Sequence, residues 1–146
     1  MTQTLVPTTD TTRTAWVEDN DETDALWAEI DETIAAANDA DYIKSATPPG
    51  TNVYVTELTN GTDPVSSVNH VIEYRRRRQP TSGAARSATV ELRQGYVSEG
   101  AQGTLIATLT DATVPDAFAN TSYTLSGAEA DAITDYTSLF LRIVAA

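Results

Sequence analysis

The sequence predicts an all-β fold: an antiparallel β-sandwich with one short helix and an extended N-terminal arm. Three observations lead there. Short apolar/polar alternations recur from residue 42 onward, the clearest being Ala88, Val90 and Leu92 against Thr89, Glu91 and Arg93. Turn chemistry separates them at 47–50, 60–64, 79–83, 95–103 and 114–116, each rich in Pro, Gly, Asn or Asp. Regular short strands punctuated in this way suit a sandwich. Finally, residues 1–22 carry threonine at 2, 4, 8, 9, 11, 12 and 14 with Pro7 among them, a composition that favours extended backbone and shows no apolar period.

Taken in order, residues 1–22 read as the arm and 23–146 as the sandwich domain. Leu5, Val6 and Trp16 are apolar anchors on the arm, costly to leave in water, so the arm is expected to be mobile in the isolated protein and to dock along a neighbour through them. Residues 23–38 fit two patterns. Leu26, Trp27, Ile30, Ile34 and Ala37 fall at helical spacing behind Thr23, while Leu26, Ala28 and Ile30 alternate as in a strand. Strands follow at 53–58, at 68–76 with Val68, His70, Ile72 and Tyr74 on one face, at 88–93, at 104–109, from Tyr123 onward, and at 138–144. Ser126-Gly-Ala-Glu129 is a capping box that opens a short helix toward Thr134.

A chain of 146 residues suits one domain and can bury about two thirds of its unfolded surface. With no cysteine it has no disulfides and no thiolate metal site. No apolar run reaches the length of a membrane span, and the start lacks the pattern of a signal peptide. The net charge of −12 is uneven: residues 1–50 hold 11 of the 21 acids and two bases, a net −9. Nucleic-acid phosphates repel such a surface, and neither a nucleic-acid nor a membrane partner is expected.

The residues that could carry chemistry are few. His70 is the single histidine, and its phase with Val68, Ile72 and Tyr74 suits a packed sheet residue better than a general base. No nucleophile elbow, phosphate loop or dinucleotide fingerprint occurs, so neither an enzyme nor a cofactor is expected. The acids at 19, 21, 22 and 24 and at 31, 32, 39 and 41 are of the kind calcium uses. An EF-hand count from Asp19 nevertheless puts Asp24 where glycine belongs and Ile30 where glutamate belongs. Arg75, Arg76, Arg77 and Arg78 form the one basic run. On a strand, Arg75 and Arg77 face one way and Arg76 and Arg78 the other. They either discourage edge pairing or fork onto acids, from 18–24 of the same chain or from a neighbour.

The stretches Leu26-Trp-Ala-Glu-Ile-Asp-Glu32 and Asp39-Ala-Asp-Tyr-Ile-Lys-Ser45 resemble a pattern in small structural proteins of tailed bacteriophages. The similarity continues through Val71-Ile-Glu-Tyr-Arg-Arg76, Val90-Glu-Leu-Arg-Gln-Gly95 and 128–142. The resemblance implies a jelly-roll-like β-sandwich in which 26–31 is a first strand followed by a loop and a short strand at 42–43. It implies a non-enzymatic virion protein made in the host cytoplasm and held on the particle surface. There it would be multicopy or homo-oligomeric and bound to the major capsid protein or other virion proteins. A capsid decoration or cement protein is the leading expectation, a minor tail or fibre component the next. A carbohydrate-binding β-sandwich module is the alternative of another class, with Trp16, Trp27, Tyr54, Tyr74, Tyr96 and Tyr123 as candidate sugar platforms. The resemblance carries over no functional residue.

Overall fold

The computed structural model of the protein describes residues 3–46, 49–79 and 85–146; much of the expected turns at 47–50 and 79–83 lies outside them. Among the described residues there are nine strands, β1 (Pro7–Arg13), β2 (Trp16–Glu18), β3 (Ile43–Ser45), β4 (Asn52–Leu58), β5 (Val71–Arg76), β6 (Ala88–Gln94), β7 (Thr104–Asp111), β8 (Ala119–Thr124) and β9 (Leu139–Ala145), with one short helix, α1 (Gly127–Asp131), between β8 and β9. The fold is all-β and every strand pairing is antiparallel.

Five strands form the main sheet in the order β1-β4-β9-β6-β7; β2 pairs β3, and β5 pairs β8. Register fixes which side chains share a face. Thr56 and Leu92 both stand opposite Leu141, and Tyr54 and Val90 both stand opposite Ile143. The apolar residues in this phase, Leu58, Val90, Leu92, Leu141 and Ile143, join Ala107, Leu109 and Leu139 in the main core. Ile72 and Tyr74 of β5, Tyr123 of β8, and Leu125, Ala130 and Ile133 around α1 pack onto that core. The other face of the sheet has its own smaller cluster, in which Val53, Val55 and Phe140 meet Tyr96 and Val144. Strand β4 is therefore buried on both faces, which is why Val53-Tyr-Val-Thr56 contains no charged residue.

The β6–β7 connection needs glycine. Gly95 and Gly103 have φ of 69° and 65°, and a side chain on Gly103 would collide with the Gln94 carbonyl. The capping box forms as read: Glu129 N–H donates to Ser126 Oγ at 3.3 Å, and Ser126 N–H donates to the Glu129 carboxylate at 2.7 Å. The helix it opens is shorter than expected, ending at Asp131.

Four expectations are corrected. The arm is extended, but it is not free of the body: β1 lies in the main sheet against β4, and β2 pairs β3. The physical reason is that Leu5 fills space over Gly61 beside the main core, and Asp10 supplies acceptors that hold the following segment. Residues 26–29 are a 3-10 turn rather than a first strand, because Leu26 and Trp27 donate their N–H groups to Asp10 instead of to a neighbouring strand. The strand expected from 68 starts at Val71, after Asn69 has turned the chain at a φ of 65°. The strand expected to begin at Tyr123 is instead the end of β8, stopped by the cap at Ser126.

Candidate functional site

The arginine run lies at the end of β5, paired with the start of β8, and the alternation expected of a strand sorts its side chains. Arg75 forks onto Asp39 at 2.6 and 2.7 Å and donates to Asn120 at 2.8 Å. Arg76, on the other side, forks onto Asp111 at 2.7 and 2.8 Å and donates to the Ala119 carbonyl at 3.0 Å. Arg78 pairs with Asp116. The arginines hold the carboxyl groups of Asp39 and Asp111 below the usual carboxylate range. The acids that answer the run therefore belong to the same chain, but they are not those at 18–24. Within that segment Asp21 pairs with Lys44 instead, and Arg13 takes the carbonyls of Thr23 and Asp24.

Arg77 is different. Its guanidinium lies 4.6 Å from the Phe118 ring centroid and 5.4 Å from that of Tyr42, and these rings stand edge to face at 6.0 Å. The residue is exposed, and no carboxylate forks onto it among the described residues. A guanidinium over aromatic faces is attracted by the ring electrons while its N–H groups stay free to bond other acceptors. Arg75 reaches the same ring, 5.3 Å above Phe118. The result is a platform of Arg75, Arg77, Tyr42 and Phe118 on an ion-paired base. Neither Tyr42 nor Phe118 stood out in the sequence as a site residue. They flank unrelated turns, and only the β5–β8 register and the β3 approach bring them together.

The apolar anchors of the arm are occupied. Leu5 packs on the main core, and Val6 N–H donates to Thr59 Oγ1 at 3.1 Å while its carbonyl accepts from Thr59 N–H at 2.8 Å. Trp16 lies against Tyr54, the ring centroids 6.1 Å apart and the planes tilted by 44°, and its indole nitrogen is buried. Of the expected partner-binding residues, the structure brings Arg75 and Arg77 to one surface and turns Arg76 to the other side of the strand, while Leu5 and Trp16 pack against the body and Val6 is held through its backbone.

His70 precedes β5, and its Nε2 lies 2.6 Å from Tyr136 Oη. Burial, with Asp63 and Asp131 nearby, raises the Tyr136 phenol above its ordinary value. This pair lies near a shallow cleft lined by Asp63, Ser66, Ser67, Asp131 and Tyr136. Among the described residues no three of His, Asp and Glu are grouped to hold a metal ion, and no helix is long and apolar enough to cross a membrane. The acids at 29 and 41 do meet. Glu29 shares a hydrogen bond with Asp41, which pushes its carboxyl up to about 7.

Comparisons with protein-family models, with curated proteins and with solved structures gave no match.

Proposed function

We propose that the protein is a non-enzymatic virion structural protein, a decoration or cement protein that binds the outer surface of a tailed-phage head. In this reading the five-stranded sheet and the β5–β8 pair are the layers of a jelly-roll-like sandwich, and the Arg77 platform is its docking surface. The observation that carries the docking role is the exposed guanidinium of Arg77 held over the rings of Tyr42 and Phe118. Arginine and aromatic side chains are the groups that dominate protein–protein contacts. Here the ordering that binding normally requires has already been met within the fold. The partner it suits is a carboxylate-bearing protein surface, approached by the fork of Arg77. The chain's overall negative charge then favours this one basic corner as the point of contact and orients the approach. The virion setting rests on the resemblance of 26–32, 39–45, 71–76, 90–95 and 128–142 to tailed-phage structural proteins.

The test is twofold. Mass spectrometry of purified particles with copy counting should find the chain at high, shell-like copy number; a few copies per particle would favour a tail or fibre component. In a binding assay with undecorated heads, Arg77→Ala should weaken binding about 10-fold or more, a hot-spot loss. Arg77→Lys should not restore it, because an ammonium neither forks nor stacks in the same way. Wild-type binding by Arg77→Ala would place the docking surface elsewhere.

A further inference from the structure

Among the described residues, the β7 edge of the main sheet is open. Ser87 and Ala146 exchange two backbone hydrogen bonds, at 2.9 and 3.1 Å. From that pair onward, odd-numbered positions of β6 bond β9 and even-numbered positions bond β7. Register then assigns Ala107, Leu109 and Asp111 to the bonds with β6, and turns the N–H and C=O groups of Thr108 and Thr110 away from it. Both threonines are exposed, and no described residue meets these groups. From Thr104 to Thr110 the strand has no charge and no proline, the devices that usually keep an edge from pairing.

We infer that β7 is a self-association edge, pairing antiparallel with β7 of a second copy about a two-fold axis at Leu109. Thr108 of one copy then stands opposite Thr110 of the other. Reciprocal backbone hydrogen bonds satisfy both, and the sheet runs on across the two copies. Charge argues for a second copy as the occupant. Two chains at −12 repel over most of their surfaces, yet the acids near this edge are neutralised locally. Asp111 is forked by Arg76, and Glu91, opposite Thr108, is bonded by Arg93 at 2.7 Å and Arg142 at 3.2 Å. The edge is thus a place where like copies approach with little repulsion, and its hydrogen-bonding pattern is its own complement.

The full-length protein should show a mass rising from one chain toward two in sedimentation equilibrium between about 1 µM and about 1 mM. Thr108→Pro removes an N–H that β6 does not use, so it should keep the circular dichroism of the wild type and sediment as one chain. Hydrogen exchange on the wild type gives a readout that needs no variant: amides 108 and 110 should become protected as concentration rises. A single-chain mass across the range, a folded Thr108→Pro that still dimerises, or concentration-independent exchange at 108 and 110 would each overturn the inference.

Discussion

The two edges of the five-stranded sheet are finished in opposite ways. At the β1 edge the ladder is broken by register shifts between Pro7 and Thr9 and between Asp10 and Thr12. The Asp10 carboxylate accepts the N–H groups of Leu26 and Trp27, both at 2.9 Å, and Arg13 binds the carbonyls of Thr23 and Asp24. Two charged side chains thus fasten the 23–29 segment alongside β1, where a further strand would otherwise have room, and the bulges spoil the template. At the β7 edge one register shift falls between Leu105 and Ala107, the register then runs unbroken to Asp111, and among the described residues no side chain of 104–110 fastens another segment along it; Asp111, at the strand's end, is taken by Arg76 and Tyr74. Covering an edge takes only an aspartate and an arginine on the edge strand. Their absence from 104–110 is what leaves β7 available.

Removing the covered edge should have the largest effect. Deleting residues 1–16 takes away β1 and the Leu5 contact, exposes β4, and frees the 26–29 turn. It should cost about 5 kcal/mol or more, comparable to the whole stability of a small domain, and abolish cooperative melting. A truncated protein that melts like the full chain would show that β1 is an ornament of the sheet.

A smaller loss is expected at Asp10. Besides the two N–H groups it accepts the Tyr54 phenol at 2.6 Å, and Tyr54 is fully buried. Asp10→Ala leaves these donors without a partner and should cost about 2–4 kcal/mol in urea unfolding. Asp10→Asn, which keeps one acceptor oxygen, should lose less. Equal losses would mean that the carboxylate charge matters more than its acceptors.

The smallest effect concerns pH. Glu29, in the segment that covers β1, has its carboxyl raised from 4.5 to about 7 by the shared hydrogen bond with Asp41, then by burial and by Asp41's charge. Below pH 4.5 this contribution to stability is fully present. Between about 4.5 and 7 the native state holds more protons than the unfolded one, so stability from this pair falls as pH rises. Asp39 and Asp111, held low by their arginines, act in the opposite sense and lose their contribution as pH falls through the acid range. Melting temperature against pH should therefore decline for the wild type between pH 4.5 and 7 relative to Glu29→Gln. Parallel curves would remove Glu29 from the account.

The strands of the main sheet were legible because one face of each packs on the core and the period-2 pattern survives, as in Val90 and Leu92 of β6. The capping box was legible because it is purely local. Leu26 and Trp27 were not, since their conformation depends on a carboxylate sixteen and seventeen residues earlier in the chain. The same holds for the surface around Arg77. The direction of each arginine followed from strand alternation, but Tyr42, Phe118, Asp39 and Asp111 come from distant segments that carry no mark of their partnership. The arm misled because threonine-rich extended backbone reads alike in a free tail and in an edge strand.

The place of β9 bears on the order in which the molecule can be made. It lies between β4 and β6, yet residues 139–145 follow the other described strands in sequence. As the polypeptide emerges from the ribosome, the β6–β7 hairpin can close early, because its partners are near in sequence. Strands β1 and β4 must wait as a separate pair until the span that joins them to β6 has been synthesised. Throughout that interval the inner edges of β4 and β6 are unpaired, so the nascent chain has two further adhesive strands that the finished protein hides. Synthesis of residues 139–145 is the step that seals them.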